Sequence, residues 1–220
     1  MKAIIFDLDD TLIDTSESFD LVVCQLVEAH SGKPLERSEL GALRSQGGFN
    51  CDWDSTVELL RRRGVTKARE QMAEEGLARY LQIAQDAERL MVEETFLPSL
   101  AKKVPLFVVT GRVRAEYQPI WAQRLDPHFT EVVCRDDRLH LKPKPSPDQI
   151  LDLMQRHNIS QGCFVGNSVD DMRAGTSAQL TAIGVTTNQS AENLKEAGAS
   201  HIVPDPRLLS PLLSKLFPEL

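Results

Sequence analysis

The chain has 220 residues, 41% of them hydrophobic, so one large domain or two unequal ones with a substantial buried core is expected and extended disorder is excluded. A net charge of −7 supplies no basic excess for a phosphate polymer, which argues against nucleic-acid and membrane-surface partners but leaves a small anionic substrate open. Four scattered cysteines without a Cys-x-x-Cys pair read as small buried hydrophobes. No apolar run reaches the ~18 residues of a membrane helix, and "MKAIIFDLDD" carries no small-residue cleavage signal, so a cytoplasmic, soluble protein is expected.

In chain order, "AIIF" (3–6) is the first expected strand, and it ends in Asp7-Leu8-Asp9-Asp10-Thr11. From roughly 15 to 92 no convincing strand follows. "FDLVVCQLVEAH" reads as a helix. So does 67–93, where Ala68, Met72, Leu77, Leu81, Ala84 and Met91 recur at helical spacing, and Gly76 is expected to break it. Nearly 80 residues is too long for a connection. The expectation is a helical cap domain over 15–92, hinged to an α/β core made of 1–14 and 93–220. Inside it, "GGFNCDWDST" (47–56) has paired glycines that allow a close turn, with Phe49, Asn50, Asp52 and Trp53 on one loop before a helix start at Ser55-x-x-Glu58. This loop is either a helix corner anchored by Trp53 or a substrate-selecting element. "RRR" (61–63) reads as a solvated helix end, a phosphate-binding role being the alternative.

Beyond the insertion, "LFVV" (106–109), "EVVC" (131–134), "CFVG" (163–166), "AIGV" (182–185) and "HIV" (201–203) are the remaining strands. Helical patterns lie near 113–124, 147–157, 169–178 and 190–197. Continuous apolar runs suit strands buried on both faces, so the fold class is α/β, a doubly wound, mainly parallel sheet with an inserted all-α cap.

In such sheets ligands sit at the carboxyl ends of the strands. The polar groups expected there are Asp7 to Thr11, Thr110-Gly111-Arg112, "KPKPSPD" (142–148) and Gly166-Asn167-Ser168-Val169-Asp170-Asp171. Asp7 and Asp9, two apart in extended chain, face the same side. Their repulsion would be relieved by a hard divalent ion, most simply Mg²⁺. One carboxylate can then attack an electrophile while the other moves protons, and a lysine and a hydroxyl can neutralise a phosphoryl group in transfer.

"DLDDT" resembles the DxDx[TV] signature of the haloacid dehalogenase superfamily, with Thr110, the lysine-proline segment and "VGNSVDD" resembling its second, third and fourth motifs in order. The helical insertion is similar to the cap of its phosphoglycolate-phosphatase-like branch, and "GGFNCDWD" and "TGRVRAE" resemble strings of a small subgroup, some of whose members are fused to a histidine-biosynthesis dehydratase. The resemblance implies a Rossmann-like core and a Mg²⁺-dependent phosphatase acting on a small phosphorylated metabolite through an aspartyl phosphate. A phosphotransferase or phosphomutase, or a catalytically weak binding or regulatory protein, is the alternative. Asp7 would be the nucleophile, Asp9 the acid and base, and Thr110 a phosphoryl ligand. The presence of Asp9 argues against dehalogenation. The motif lysine is Lys144 in preference to Lys142, placed by a helix start with Ser146 as N-cap, Pro147 first and Gln149 reaching back. Thr11, Gly111, Arg112, Asn50 and Trp53 would contact substrate, Arg112 at its phosphate. Asp7, Asp9, Asn167 and Asp171 would hold the metal. Asn167 departs from the aspartate usual there, which implies weaker metal attraction, and Ser168-x-x-Asp171 also reads as a helix-capping pair.

Overall fold

A computed structural model describes residues 1–49 and 51–217. The elements are β1 (Lys2–Phe6), β2 (Ile13–Asp14), α1 (Phe19–Ser31), α2 (Arg37–Arg44), α3 (Asp52–Arg62), α4 (Arg69–Ala87), β3 (Arg89–Leu90), α5 (Phe96–Ala101), β4 (Leu106–Val109) and α6 (Arg114–Tyr117). A π-helical turn, Gln118–Ala122, continues α6 into α7 (Gln123–Leu125). Then come β5 (Glu131–Val133), α8 (Asp148–Arg156), β6 (Gln161–Gly166), α9 (Val169–Ser177), β7 (Thr181–Val185), α10 (Ala191–Glu196), β8 (His201–Val203) and α11 (Leu209–Leu216).

Six strands form one parallel sheet in the order β5-β4-β1-β6-β7-β8. The chain leaves the central β1 toward β4 and β5, then crosses back to β6 on the other side. The order reverses at β1, and a crevice opens there at the carboxyl ends. Alternation along β1 explains why its sequence is apolar throughout. Ile4 and Phe6 pack with Leu106, Val108, Val165 and Trp121 on one face, while Ala3 and Ile5 pack with Phe107, Phe164, Ile150 and Ala174 on the other. The doubly wound α/β class and all six expected strands are present.

Helices α1 to α4 have apolar clusters of their own. Val23, Val27, Leu40, Leu43, Leu59, Leu60 and Met72 form one, and Phe19, Leu26, Trp53, Tyr80 and Ala84 another. Three sequence expectations are corrected here. Gly76 does not break α4, which runs through it. A Cβ at Gly76 would stand 2.2 Å from Trp53 Cζ3, so the glycine is where the indole ring lies against the helix. The helix expected to start at Ser55 starts at Asp52, and Ser55 is buried inside it with its hydroxyl donated to the Phe49 carbonyl. The stretch read as strand-free contains β3, which pairs antiparallel with β2 (Ile13 with Leu90, Asp14 with Arg89) and ties together the two chain passages between helices and sheet. Two residues per strand are too few for any alternation to show.

Candidate active site

The chain after β1 turns at once. Leu12 and Ile13 donate to the Leu8 carbonyl, and Asp10 takes φ +54, a left-handed conformation that aspartate tolerates. Asp10 holds this turn: Oδ1 accepts from the Thr15 amide and hydroxyl, and Oδ2 from Asn188. The turn aims Asp7 and Asp9 into the crevice, where they line one cavity with Asn167, Asp170, Arg44 and Asp52.

Each carboxylate meets a different cation. Lys144 Nζ lies 2.6 Å from Asp7 Oδ1 and 2.6 Å from Asp171 Oδ1, all three side chains being almost wholly buried. Asp9 Oδ1 lies 2.6 Å from Arg112, whose guanidinium also pairs with the buried Glu88. Burial pushes the Asp7 carboxyl up to about 8 despite Lys144, and the Asp9 carboxyl up to about 7 despite Arg112. Burial alone would lower Lys144. The Asp171 and Asp7 charges more than reverse that, so it stays an ammonium.

Among the two lysines, Lys144 is buried in the crevice. Lys142 is exposed, with its amide donated to Asp148. Helix α8 begins at Asp148, one residue later than expected. Ser146 accepts weakly from the Asp148 amide at 3.4 Å, and Gln149 donates to the Arg135 carbonyl instead of reaching back.

Thr110 follows β4 directly and is buried, its hydroxyl accepting from the Arg112 amide at 3.2 Å. With Gly111, Lys144, Arg135 and Asp54 it lines a cavity of about 190 Å³. Thr11 is buried and donates to Asn167 Oδ1 at 3.1 Å, while Asn167 Nδ2 donates to Asn188. Asp171 is fully engaged: Oδ1 with Lys144, Oδ2 with the Asn167 and Ser168 amides and the Ser168 hydroxyl, forming the capping pair seen in the sequence. Trp53 lies on α3 and not on a loop, with Nε1 donated to Glu116, and its ring edges a small cavity shared with Asp9 and Arg112. Asn50 lies outside the described residues. Arg61 and Arg62 pair with Glu58, and Arg63 with Glu39, on the surface and away from the crevice.

The donor set suits a hard cation. Asp7, Asp9, Asp170 and the Asn167 amide converge on one cavity, and three carboxylates at the strand ends (the buried Asp7 and Asp171 and the half-buried Asp9) face one ammonium and one guanidinium already shared with Glu88. Among the described residues no group of three or more His, Cys, Asp or Glu side chains is placed to hold a metal ion.

Sequence reasoning missed several crevice residues. Arg44, at the end of α2, reaches in and pairs with Asp20 and Asp52. Asn188 and Gln189 follow β7, and the rule that strand ends carry the site could have found them. Asp170 was expected at this strand end but given no role of its own. Both of its oxygens accept the Gly48 amide at 2.9 and 3.0 Å, which docks the glycine loop on the sheet side. Gly47 has φ +78, a conformation that side-chain-bearing residues rarely adopt, and a Cβ there would also push aside the tip of Arg173. Glu88 had no signal at all.

A family model described as haloacid dehalogenase-like hydrolase matches residues 1–179. The chain is 24% identical over 204 residues to imidazoleglycerol-phosphate dehydratase of Phytophthora nicotianae, covering 86% of this chain and 44% of that one, so it spans less than half the length of that relative. It is 28% identical over 193 residues to phosphoglycolate phosphatase of Pectobacterium atrosepticum, covering 84% of this chain and 80% of the other. The fold superposes on the crystal structure of a predicted phosphoglycolate phosphatase from Haemophilus somnus with a TM-score of 0.80 and 20% identity, covering 97% of this chain and 98% of that one.

Proposed function

The chain belongs to the haloacid dehalogenase-like hydrolases, and on that premise we propose that it is a phosphatase hydrolysing a small phosphomonoester with Mg²⁺ through an aspartyl phosphate on Asp7. The observation that carries this reading is Lys144 at 2.6 Å from both Asp7 and Asp171, beside Thr110 and Gly111, at the carboxyl ends of three adjacent parallel strands. Phosphatases of this family generally work with a divalent cation. Asp7, Asp9 and Asn167 would hold it here, and when bound it would neutralise phosphoryl charge and favour the ionised form of Asp7. Asp171 is assigned to holding Lys144 and the start of α9.

The rest of the chemistry lies in the chain's own side chains. Asp7 attacks phosphorus in line, Lys144 and the Thr110 hydroxyl balance the equatorial oxygens, and Asp9 protonates the departing oxygen. A carboxyl that burial holds above its ordinary range can give a proton in one step and take one from water in the next. We place the cap at residues 15–92, the rest forming the core, with the β2–β3 ribbon as the stem between them. The named activity of the Pectobacterium relative agrees with a small phosphorylated metabolite as substrate. The cavity of about 190 Å³ beside Thr110 is in keeping with that size.

Release of inorganic phosphate from a panel of phosphomonoesters, with Mg²⁺ present, tests the reading. Turnover that Asp7→Asn abolishes supports it. Equal rates for native protein and Asp7→Asn overturn it. Transfer of phosphate to an added alcohol in place of release would assign a phosphotransferase instead.

A further inference from the structure

Arg112 follows β4 in the crevice, yet its side chain is wholly buried. All three of its nitrogens are engaged. Nε and Nη2 each lie 2.6 Å from Asp9 Oδ1. Nη2 also donates to Glu88 Oε1 at 2.9 Å, and Nη1 donates to Glu88 Oε2 at 3.1 Å and to the Tyr80 hydroxyl. The Phe19 and Tyr80 rings lie against the guanidinium, with centroids 5.0 and 5.6 Å away. A phosphoryl oxygen could reach Arg112 only by displacing a buried charge pair, which is strongly unfavourable.

Glu88 is equally buried and lies between α4 and β3. Besides Arg112 it accepts from the Ser18 hydroxyl at 2.8 Å, Trp121 Nε1 at 2.5 Å and Tyr80. Ser18 stands just before α1, so both passages between helices and sheet meet on this one carboxylate.

We propose that Arg112 is a positioning residue that orients the Asp9 carboxylate toward the leaving oxygen, and that Glu88 is the anchor fixing Arg112. The inference rests on Asp9 acting as the acid of the proposed phosphatase. A planar fork held at its far side by Glu88 grips Oδ1 from one direction. The Asp9 side chain keeps 27% exposure and lines the crevice with Asp7. An acid must lie within hydrogen-bond reach of the oxygen it protonates, and a small error in aim costs rate without weakening phosphate binding.

Aryl phosphates of matched shape supply the test, because nitrophenolate departs without a proton and phenolate needs one. Glu88→Gln and Arg112→Met should lower kcat/KM for phenyl phosphate about 30-fold, and for 4-nitrophenyl phosphate less than about threefold, mirroring Asp9→Asn. KM for both probes and inhibition by inorganic phosphate should hold. Arg112→Lys should recover part of the phenyl phosphate activity. Equal losses on both probes would reduce the pair to a structural role, and weakened inhibition by inorganic phosphate would make Arg112 a phosphate ligand; either result overturns the inference. If Arg112→Met does not fold by circular dichroism, Glu88→Gln, which exchanges one oxygen for nitrogen, decides alone. If the native protein releases no phosphate from either probe, the phosphatase reading falls and this inference with it. If Asp9→Asn shows the leaving-group effect and Glu88→Gln does not, the inference alone falls.

Discussion

Asp7 and Asp9 are the same residue type two positions apart, and the fold gives them opposite settings. Asp7 is 5% exposed and faces a lysine, a compact charge on a flexible stem, which it shares with Asp171. Asp9 is 27% exposed and faces an arginine locked from behind by Glu88. The first cluster draws only on the sheet: β1, the segment before α8, and the start of α9. The second reaches across to α4 and both passages that lead to it. In the proposed mechanism the nucleophile, Asp7, needs one fixed line of attack, whereas the acid and base, Asp9, must serve two steps. Their environments, and not their chemistry, separate the two carboxylates. Glu116, a buried acid, has no cation at hydrogen-bond distance among the described residues and is held by the Val113 amide and Trp53 Nε1.

The contrast can be broken most sharply at its first member. Asp7→Asn should cut phosphate release at least about 10³-fold on every leaving group, since no other carboxylate can take its line of attack. A loss confined to poor leaving groups would exchange the two roles.

Next in size is Lys144→Met, which leaves Asp7 and Asp171 buried without their partner. A loss of about 3–5 kcal/mol in urea unfolding is expected. A change below about 1 kcal/mol would mean that the lysine contributes little to holding the strand ends together.

Glu116 sharpens the comparison as the carboxyl without a salt-bridge partner. Burial raises it from 4.5 to about 7 in the folded chain. Between those values the folded state binds more protons than the unfolded one, so this group's contribution to stability falls as pH rises. Thermal unfolding from pH 4 to 8 should show the native protein losing about 3 kcal/mol relative to Glu116→Gln, the loss complete above pH 7. A pH-independent difference would show that the Val113 and Trp53 donors offset burial and leave Glu116 at its ordinary value.

The smallest effect belongs to the amide beside both acids. Asn167→Asp should tighten Mg²⁺ about tenfold by calorimetry, because a carboxylate attracts a hard cation more than an amide oxygen does. Equal or weaker binding would show that Thr11 and Asn188 hold position 167 in a place where charge does not reach the ion.

How far the sequence could be read depended on whether its signals were local. Unbroken apolar runs located every strand of the large sheet, because strands buried on both faces have no polar side to interrupt them. Strand ends located Asp7, Asp9, Thr110, Lys144 and Asn167 in one crevice. The β2–β3 ribbon was invisible at two residues a strand. Gly76 misled because its role is set by Trp53, which is 23 positions away along the chain. Glu88 ends a helix with nothing beside it in sequence to mark it. Its partners Ser18, Arg112 and Trp121 come from three other segments.

The positions of the strands along the chain, the place of the helical insertion and the acidic ends of β1 and β6 were determined by residue type at short spacing, since burial acts along a few neighbouring residues. Which cation each aspartate meets, why Gly47 and Gly76 carry no side chain, and that Arg112 faces Glu88 were decided only when distant segments packed together. Charge and shape complementarity are properties of pairs, and a pair exists only once the fold has brought its members into contact.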